Sequence, residues 1–314
     1  MRKSVPYSCL LHCDSGLLSK SGMRINLAYL QNRPIFLRVG GFIFVLLLMW
    51  LPVAAPIYLL LWFPAIAPFV TIKLDSNTVS IVTMVVLYAE FLFLLRLWSQ
   101  QIYQRTDTFK YYGLEISRQN VVETVQGLAI GLSSVLILFG LQGFFGWLRW
   151  QQSPIFFTQI ALEGLAVGLG VGFAEELFFR GWLLEELHHE YTPSTALWAD
   201  AVIFASLHFI KPLEAILQTL PQFPALLLLG LTQVWGKRWR RGRLGLPIGL
   251  HGGLVWGYYM INVGQLTKYT GVVPDWVTGI HHNPLMGVMG VGFMGILAWG
   301  MRLRGKGKEF LSSQ

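Results

Sequence analysis

The sequence predicts an all-α, polytopic integral membrane bundle of about eight transmembrane helices, and three observations predict it. Hydrophobic residues make up 54% of the 314-residue chain and charged residues only 13%, against about 25% charge in a soluble domain. Apolar runs long enough to cross about 30 Å of hydrocarbon recur along the chain. The basic residues fall on alternate connecting segments. Such a chain cannot cover itself with polar surface, which excludes a soluble globular fold and a disordered one. Two cysteines cannot frame a secreted disulfide scaffold.

The spans follow in order. No charge occurs between Arg38 and Lys73, so a first span is expected near Val39–Trp62, with a Pro-interrupted exit through Pro52, Pro56, Pro64 and Pro68. Further spans are expected at Asn77–Leu97, Thr124–Trp147, Ile160–Leu184, Ser194–Ile210, Ala215–Trp235, Leu244–Val263 and Leu285–Met301. With the N-terminus in the cytoplasm, the inner segments hold twenty Lys and Arg residues. They include Arg2, Lys3, Arg33, Arg38, Arg96, Arg105, Arg118, Arg180, the run Lys237, Arg238, Arg240, Arg241 and Arg243, and Arg302 to Lys308. The outer segments receive four, Lys73, Arg149, Lys211 and Lys268. This positive-inside bias places both termini in the cytoplasm. The net charge of +8 therefore reads as membrane orientation, with anionic lipid headgroups as partner of the "KRWRRGR" run and no nucleic acid called for.

Three segments are expected: a polar cytoplasmic stretch 1–38, one membrane domain 39–301, and a basic cytoplasmic tail 302–314. The stretch before the first span is too long for a signal-peptide n-region. Cys9 and Cys13 flank His12 there, a spacing read as incidental. The second "MR" at Met23 raises an alternative start.

The fourth span reads "GLAVGLGVGFAEELFFRGWLLEEL", with Glu175, Glu176 and Arg180 well inside it. Three ionised groups at mid-membrane cost on the order of 9 kcal/mol, while each Leu, Ile, Val or Phe returns only about 0.3–0.6 kcal/mol. The helix must therefore be interior, with its charges paired or hydrated. Glu176 and Arg180 are i and i+4, acid before base, the favoured order for an ion pair. Glu175 lies about 140° around the helix from Arg180 and is left as the unpaired carboxylate, which suits a general base. The plainer alternative is an ion-pair cluster that locks helix packing.

Two more helices carry related groups. The fifth span places Asp200, Phe204 and His208 at successive i+4 steps, hence on one face, and the seventh carries His251. At 1.5 Å per residue, Glu175 and His208 lie around 20 Å from the cytoplasmic ends and His251 nearer 10 Å. That depth is compatible with one site in the cytoplasmic half of the bilayer. Gly164, Gly168 and Gly172 on the fourth span, and Gly249, Gly253 and Gly257 on the seventh, form small-residue stripes that let helices approach closely. Glu90 and Glu163 are further intramembrane acids, expected to make inter-helix hydrogen bonds. The "EELHHE" cluster (Glu185, Glu186, His188, His189, Glu190) is expected to be a solvated helix end. His281 and His282 fall in the outer loop before the last span.

"EELFFR" (Glu175, Glu176, Arg180), "FASLH" (Phe204, His208) and "LHGG" (His251), in that order on three helices, resemble the CAAX-processing and bacteriocin-processing family of intramembrane endopeptidases. The family is also called the abortive-infection or type II prenyl-protein protease family. The likeness covers residues about 120–265. It implies peptide-bond hydrolysis of a membrane-inserted or lipidated protein or peptide precursor. It implies that Glu175 with His208 activates a water, that His251 holds the water or the oxyanion, and that Glu176 and Arg180 brace the helix, with Phe204 and Asp200 in support. The family is commonly filed as metalloproteases. Glu175, His208 and His251 would be the ligands of a divalent metal such as zinc, and metal-free polarisation of water is the alternative; there is no HExxH to decide it. The sequence departs from the family at Val255, where members often carry Asn or Asp four residues after the second histidine. Two other functional readings follow from the same residues. In a proton- or ion-coupled transporter, Glu175, Asp200, Glu90 and the histidines would form a relay, with inverted repeats expected. A catalytically silent scaffold is the reading that Val255 invites.

Overall fold

The computed structural model describes residues 26–62 and 75–305. Cys9, His12, Cys13, Met23, Pro64, Pro68, Lys73 and the end of the basic tail lie outside those residues. α1 (Ile35–Trp62) follows a 3₁₀ turn at Ala28–Leu30 and runs straight through Pro52 and Pro56. The expected interruption at those two prolines does not occur, since a membrane-spanning helix tolerates proline where neighbours meet the freed backbone groups. α2 (Ser76–Ile102) starts at Asp75, whose carboxylate accepts from the Thr78 backbone N–H at 2.8 Å. The Thr78 hydroxyl, donating to the other carboxylate oxygen at 2.6 Å, and this cap together hold the Asp75 carboxyl below its usual range. A short α3 (Thr108–Tyr111) leads to α4 (Arg118–Phe144), capped by Ser117.

The chain then forms β1 (Leu148–Trp150) and α5 (Phe157–Glu176). α5 passes without a break through a π-helical turn, Leu177–Leu183, into α6 (Leu184–His188). Thr192 caps α7 (Pro193–Leu207), with proline at its first position. Next come α8 (Leu213–Thr219), a 3₁₀ turn at Leu220–Gln222, α9 (Phe223–Trp239) and α10 (Gly245–Asn262). β2 (Thr267–Tyr269), α11 (Asp275–Thr278) and further 3₁₀ turns precede α12 (Val288–Gly305).

The protein is an all-α membrane bundle. Each expected span coincides with a helix, but only five helices are long and apolar enough to cross a membrane among the described residues: Ile35–Leu59, Ser76–Ile102, Arg118–Phe144, Phe157–His188 and Leu213–Trp239. The expected count of eight crossings is not reached by that measure, because α7 is too short and the 18-residue α10 and α12 are diluted by glycines and polar residues, among them His251, Asn262, Arg302 and Arg304. α7 stops at Leu207 and has 15 residues, about 22 Å at 1.5 Å each. Pro284–Met286 winds as a 3₁₀ turn, so α12 begins only at Val288. Trp147, expected in the third span, lies beyond the end of α4, where β1 pairs antiparallel with β2 and sets Leu148 opposite Tyr269. Sequence reading missed this clasp between the far ends of α4 and α10, and its Arg149–Lys268 register puts like charges opposite each other.

α10 is the central rod, packed between α4 and α5. The glycine stripes explain the close approach. A Cβ on Gly168 or Gly172 of α5 would strike the carbonyls of Gly252 or Ile248, and one on Gly249 or Gly253 of α10 would strike those of Thr124 or Leu128 on α4. α9 packs on α7 and α12, and α1 on α2. Aromatic rings fill the space between α1, α2 and the π turn, with Trp182 stacked on Phe42 at 4.1 Å. The three helices that carry the intramembrane acids and histidines thus meet near the middle of the molecule.

Candidate active site

The π turn is where the buried charges gather. Glu176 is the last residue of α5, and Arg180 lies inside the turn, both fully buried. Arg180 Nη1 donates to Glu176 Oε1 at 3.2 Å, Nη2 donates to the Gly230 carbonyl of α9 at 3.2 Å, and Nε lies 3.3 Å from Asp200 Oδ2 on α7. The guanidinium also sits 4.3 Å from the centre of the Phe204 ring, a cation–π contact in a dry setting. Three helices are therefore tied to one side chain. Lys237 adds a fourth tie, donating to the Arg180 carbonyl at 2.7 Å and to Glu185 Oε1 at 2.6 Å. Sequence reading placed Lys237 in a lipid-facing basic run, and nothing in that run marks it as the residue that turns inward.

Glu176 Oε1 is shared. Besides Arg180, it accepts from His251 Nδ1 of α10 at 2.8 Å. This bond was not foreseen, since the i,i+4 rule finds partners on one helix only. It fixes the ring of His251 and points Nε2 toward Glu175, whose Oε2 is 3.9 Å away. Glu175 stands apart from the Arg180 cluster, and its buried Oε2 has no hydrogen-bond partner among the described residues. At the end of α7, His208 donates its Nδ1–H to the Phe204 carbonyl at 2.8 Å. A carbonyl can only accept, so the neutral ring presents Nε2 as an acceptor. The Phe204 ring touches both imidazoles, with centroids 4.7 Å from His208 and 6.2 Å from His251.

Glu175, His208 and His251 line one cavity of about 310 Å³. Its remaining wall is chiefly aliphatic and aromatic, and Val255, Gln222 and Asn283 also face it. It extends from the carboxylate and imidazoles toward Gln222 and Asn283, at the end of α9 opposite Lys237. This arrangement can hold a water beside an unpartnered carboxylate and two imidazoles in a mostly apolar chamber. A zinc site fits less well. The donor types are right for zinc, yet among the described residues no three His, Cys, Asp or Glu side chains gather closely enough to hold a metal ion.

The other acids divide. Glu163 accepts from Gln159 at 2.9 Å and from Tyr259 of α10 at 3.3 Å, an inter-helix bond of the expected kind. Glu90 carries a buried Oε2 with no hydrogen-bond partner among the described residues, so within them that oxygen does not form the bond expected of it. The "EELHHE" segment is a solvated helix end only in part: His188, His189 and Glu190 are exposed, but Glu185 is half-buried. Glu186 is fully buried and accepts from Trp98 Nε1 at 2.7 Å, Tyr103 Oη at 2.7 Å and Arg38 Nε at 3.1 Å. α1 and α2 cover it, which a reading of one helix cannot reveal. Burial and its position beside Glu186 push the Tyr103 phenol well above its usual value. Burial, with Arg38 nearby, pushes the His189 imidazole below its own. Much of the basic run is also internally engaged, Arg243 with Glu123 at 2.6 Å and Arg240 with Gln126 at 2.7 Å.

Residues 157–257 match the family model of the type II CAAX prenyl endopeptidase Rce1-like proteins. The segment runs from the start of α5 past His251 and is similar to the family to which "EELFFR", "FASLH" and "LHGG" point. No curated protein and no solved structure matches the chain significantly.

Proposed function

We propose that the cavity is the active site of an intramembrane endopeptidase that cleaves a membrane-inserted or lipidated protein or peptide. In this reading a water sits between Glu175 and His208. Glu175 Oε2 takes a proton as the water oxygen attacks the carbonyl carbon, and the carbonyl electrons move onto its oxygen. When the tetrahedral intermediate collapses, the C–N bond breaks and the proton passes to the leaving amine. His251, held by Glu176, sets its Nε2 beside Glu175 Oε2, 3.9 Å away, and so positions the carboxylate. Glu176, Arg180, Asp200 and Phe204 position these groups without touching substrate. The aliphatic wall accepts an apolar segment of substrate. Both termini face the cytoplasm in this reading, and the basic residues that lack internal partners meet anionic headgroups.

The observation that carries the proposal is the convergence of Glu175, His208 and His251 on one cavity, with Glu175 Oε2 left unpartnered. The test compares protein termini in membranes containing the wild type or the Glu175→Ala variant. Loss of a general base lowers the rate by about 10²–10⁴, so termini produced by the wild type should vanish in the variant. Identical termini would reject proteolysis.

A further inference from the structure

Peptide hydrolysis places negative charge on the carbonyl oxygen, and that charge needs aimed hydrogen-bond donors. Val255 faces the cavity and has none. The remaining donors on the wall can be accounted for one by one. Ser134 commits its O–H to the Ile130 carbonyl at 2.7 Å, and Tyr258 points its O–H at the His282 carbonyl at 3.5 Å. His208 and His251 have committed their Nδ1–H groups to Phe204 and Glu176. With both rings neutral, two side-chain donors remain among the described residues of the wall, the amides of Gln222 and Asn283.

Their orientations follow from the backbone. Leu285 N–H donates to the Asn283 side chain at 3.0 Å, so that atom is Oδ1. Asn283 Nδ2 must then face Gln222 and donate to its Oε1 at 3.2 Å. This leaves both hydrogens of Gln222 Nε2, and one of Asn283 Nδ2, without an assigned acceptor. The turn that presents Asn283 is held in an unusual shape. His281 and His282 both have left-handed backbone angles, with φ of 54° and 63°, a conformation that non-glycine residues adopt only when their surroundings hold them there. The His282 ring stacks on Tyr269 of β2 at 4.8 Å with a 6° tilt. The β1–β2 clasp thus fixes the turn, and the turn fixes the amide.

We infer that Gln222 and Asn283 together form the oxyanion-binding pair, Gln222 Nε2 being the principal donor. The inference rests on the peptidase reading above. Gln222→Glu tests it selectively, because a carboxylate still accepts from Asn283 but has no N–H for substrate; Gln222→Met serves as a second variant. The probe is an internally quenched library of apolar peptides in detergent micelles, with kcat, KM and thermal midpoint measured beside wild type and Glu175→Ala. The expected result is a fall in kcat of about 10²–10³ with KM and thermal midpoint held. A wild-type kcat in both Gln222 variants, or activity that falls only in step with the folded fraction, overturns the inference while Glu175→Ala remains inactive. Cleavage that is absent in wild type, or undiminished in Glu175→Ala, overturns the peptidase reading and this inference with it.

Discussion

Two buried charge clusters can be set side by side. Around Glu186, at the basic end of the bundle, Oε1 accepts from Trp98 and Tyr103 and Oε2 from Arg38. Around the π turn, Arg180 draws in Glu176 and Asp200, yet Glu176 Oε2, both Asp200 carboxylate oxygens and Glu175 Oε2 lack hydrogen-bond partners among the described residues. Burying a polar atom without a partner costs about 1–3 kcal/mol, more for a charged group. A cluster whose acceptors are all met holds α1 and α2 against α6. A cluster with acceptors left over needs something else to meet them, and one of those acceptors opens on the cavity. The number of unmet lone pairs, more than the number of charges, separates a staple from a site.

That contrast can be broken at its strongest point. Arg180→Met leaves Glu176 and Asp200 buried without their cation, so a loss of about 3–5 kcal/mol is expected, read as a lowered unfolding midpoint in detergent and a loss of folded protein in the membrane. Stability equal to wild type would mean that the guanidinium does not bind the three helices together. Glu186→Gln keeps an acceptor for Trp98 but weakens the bond to Arg38. The expected cost is about 1.5–3 kcal/mol, with cleavage per folded molecule unchanged; a selective loss of turnover would remove the distinction between staple and site.

The smallest effect concerns pH. His189 stacks on Tyr103 at 4.6 Å, and its imidazole titrates below the usual value. The unfolded chain takes up this proton first as pH falls through about 6.5, so the neutral ring favours the fold above that pH and the advantage is lost below it. Between pH 7.5 and 5.5, His189→Gln should flatten the pH dependence of the unfolding midpoint relative to wild type, by less than either variant above changes it. An unchanged slope would show that the ring does not sense its partial cover by Tyr103 and the nearby Arg38.

Much of the candidate site's geometry is legible in the sequence because its signals are local. An acid and a base four residues apart on one helix report their own pairing, and the cost of charge in hydrocarbon marks Glu175, Glu176 and Arg180 as interior. Histidines in two other apolar spans then point to a common locus. The bond between Glu176 and His251 joins residues 75 positions apart, and that between Asn283 and Gln222 joins residues 61 apart. No periodicity connects such pairs. Gln222 and Asn283 carry no signal in the sequence for this reason, the inward turn of Lys237 and Glu186 is invisible along one helix, and the π turn at Leu177–Leu183 has no compositional mark.

The sequence by itself determined that the chain lives in a membrane, which segments are helical, which charges must be hidden and which faces can come together through glycine. Each follows from transfer energy or helical spacing, quantities defined on a single segment. Only the tertiary structure decided which hidden charges are satisfied, where apolar helices end, and which side chains share a cavity. Those outcomes depend on what a neighbouring helix presents at a given height, and hydrogen bonds across helices are set by packing distance instead of order along the chain.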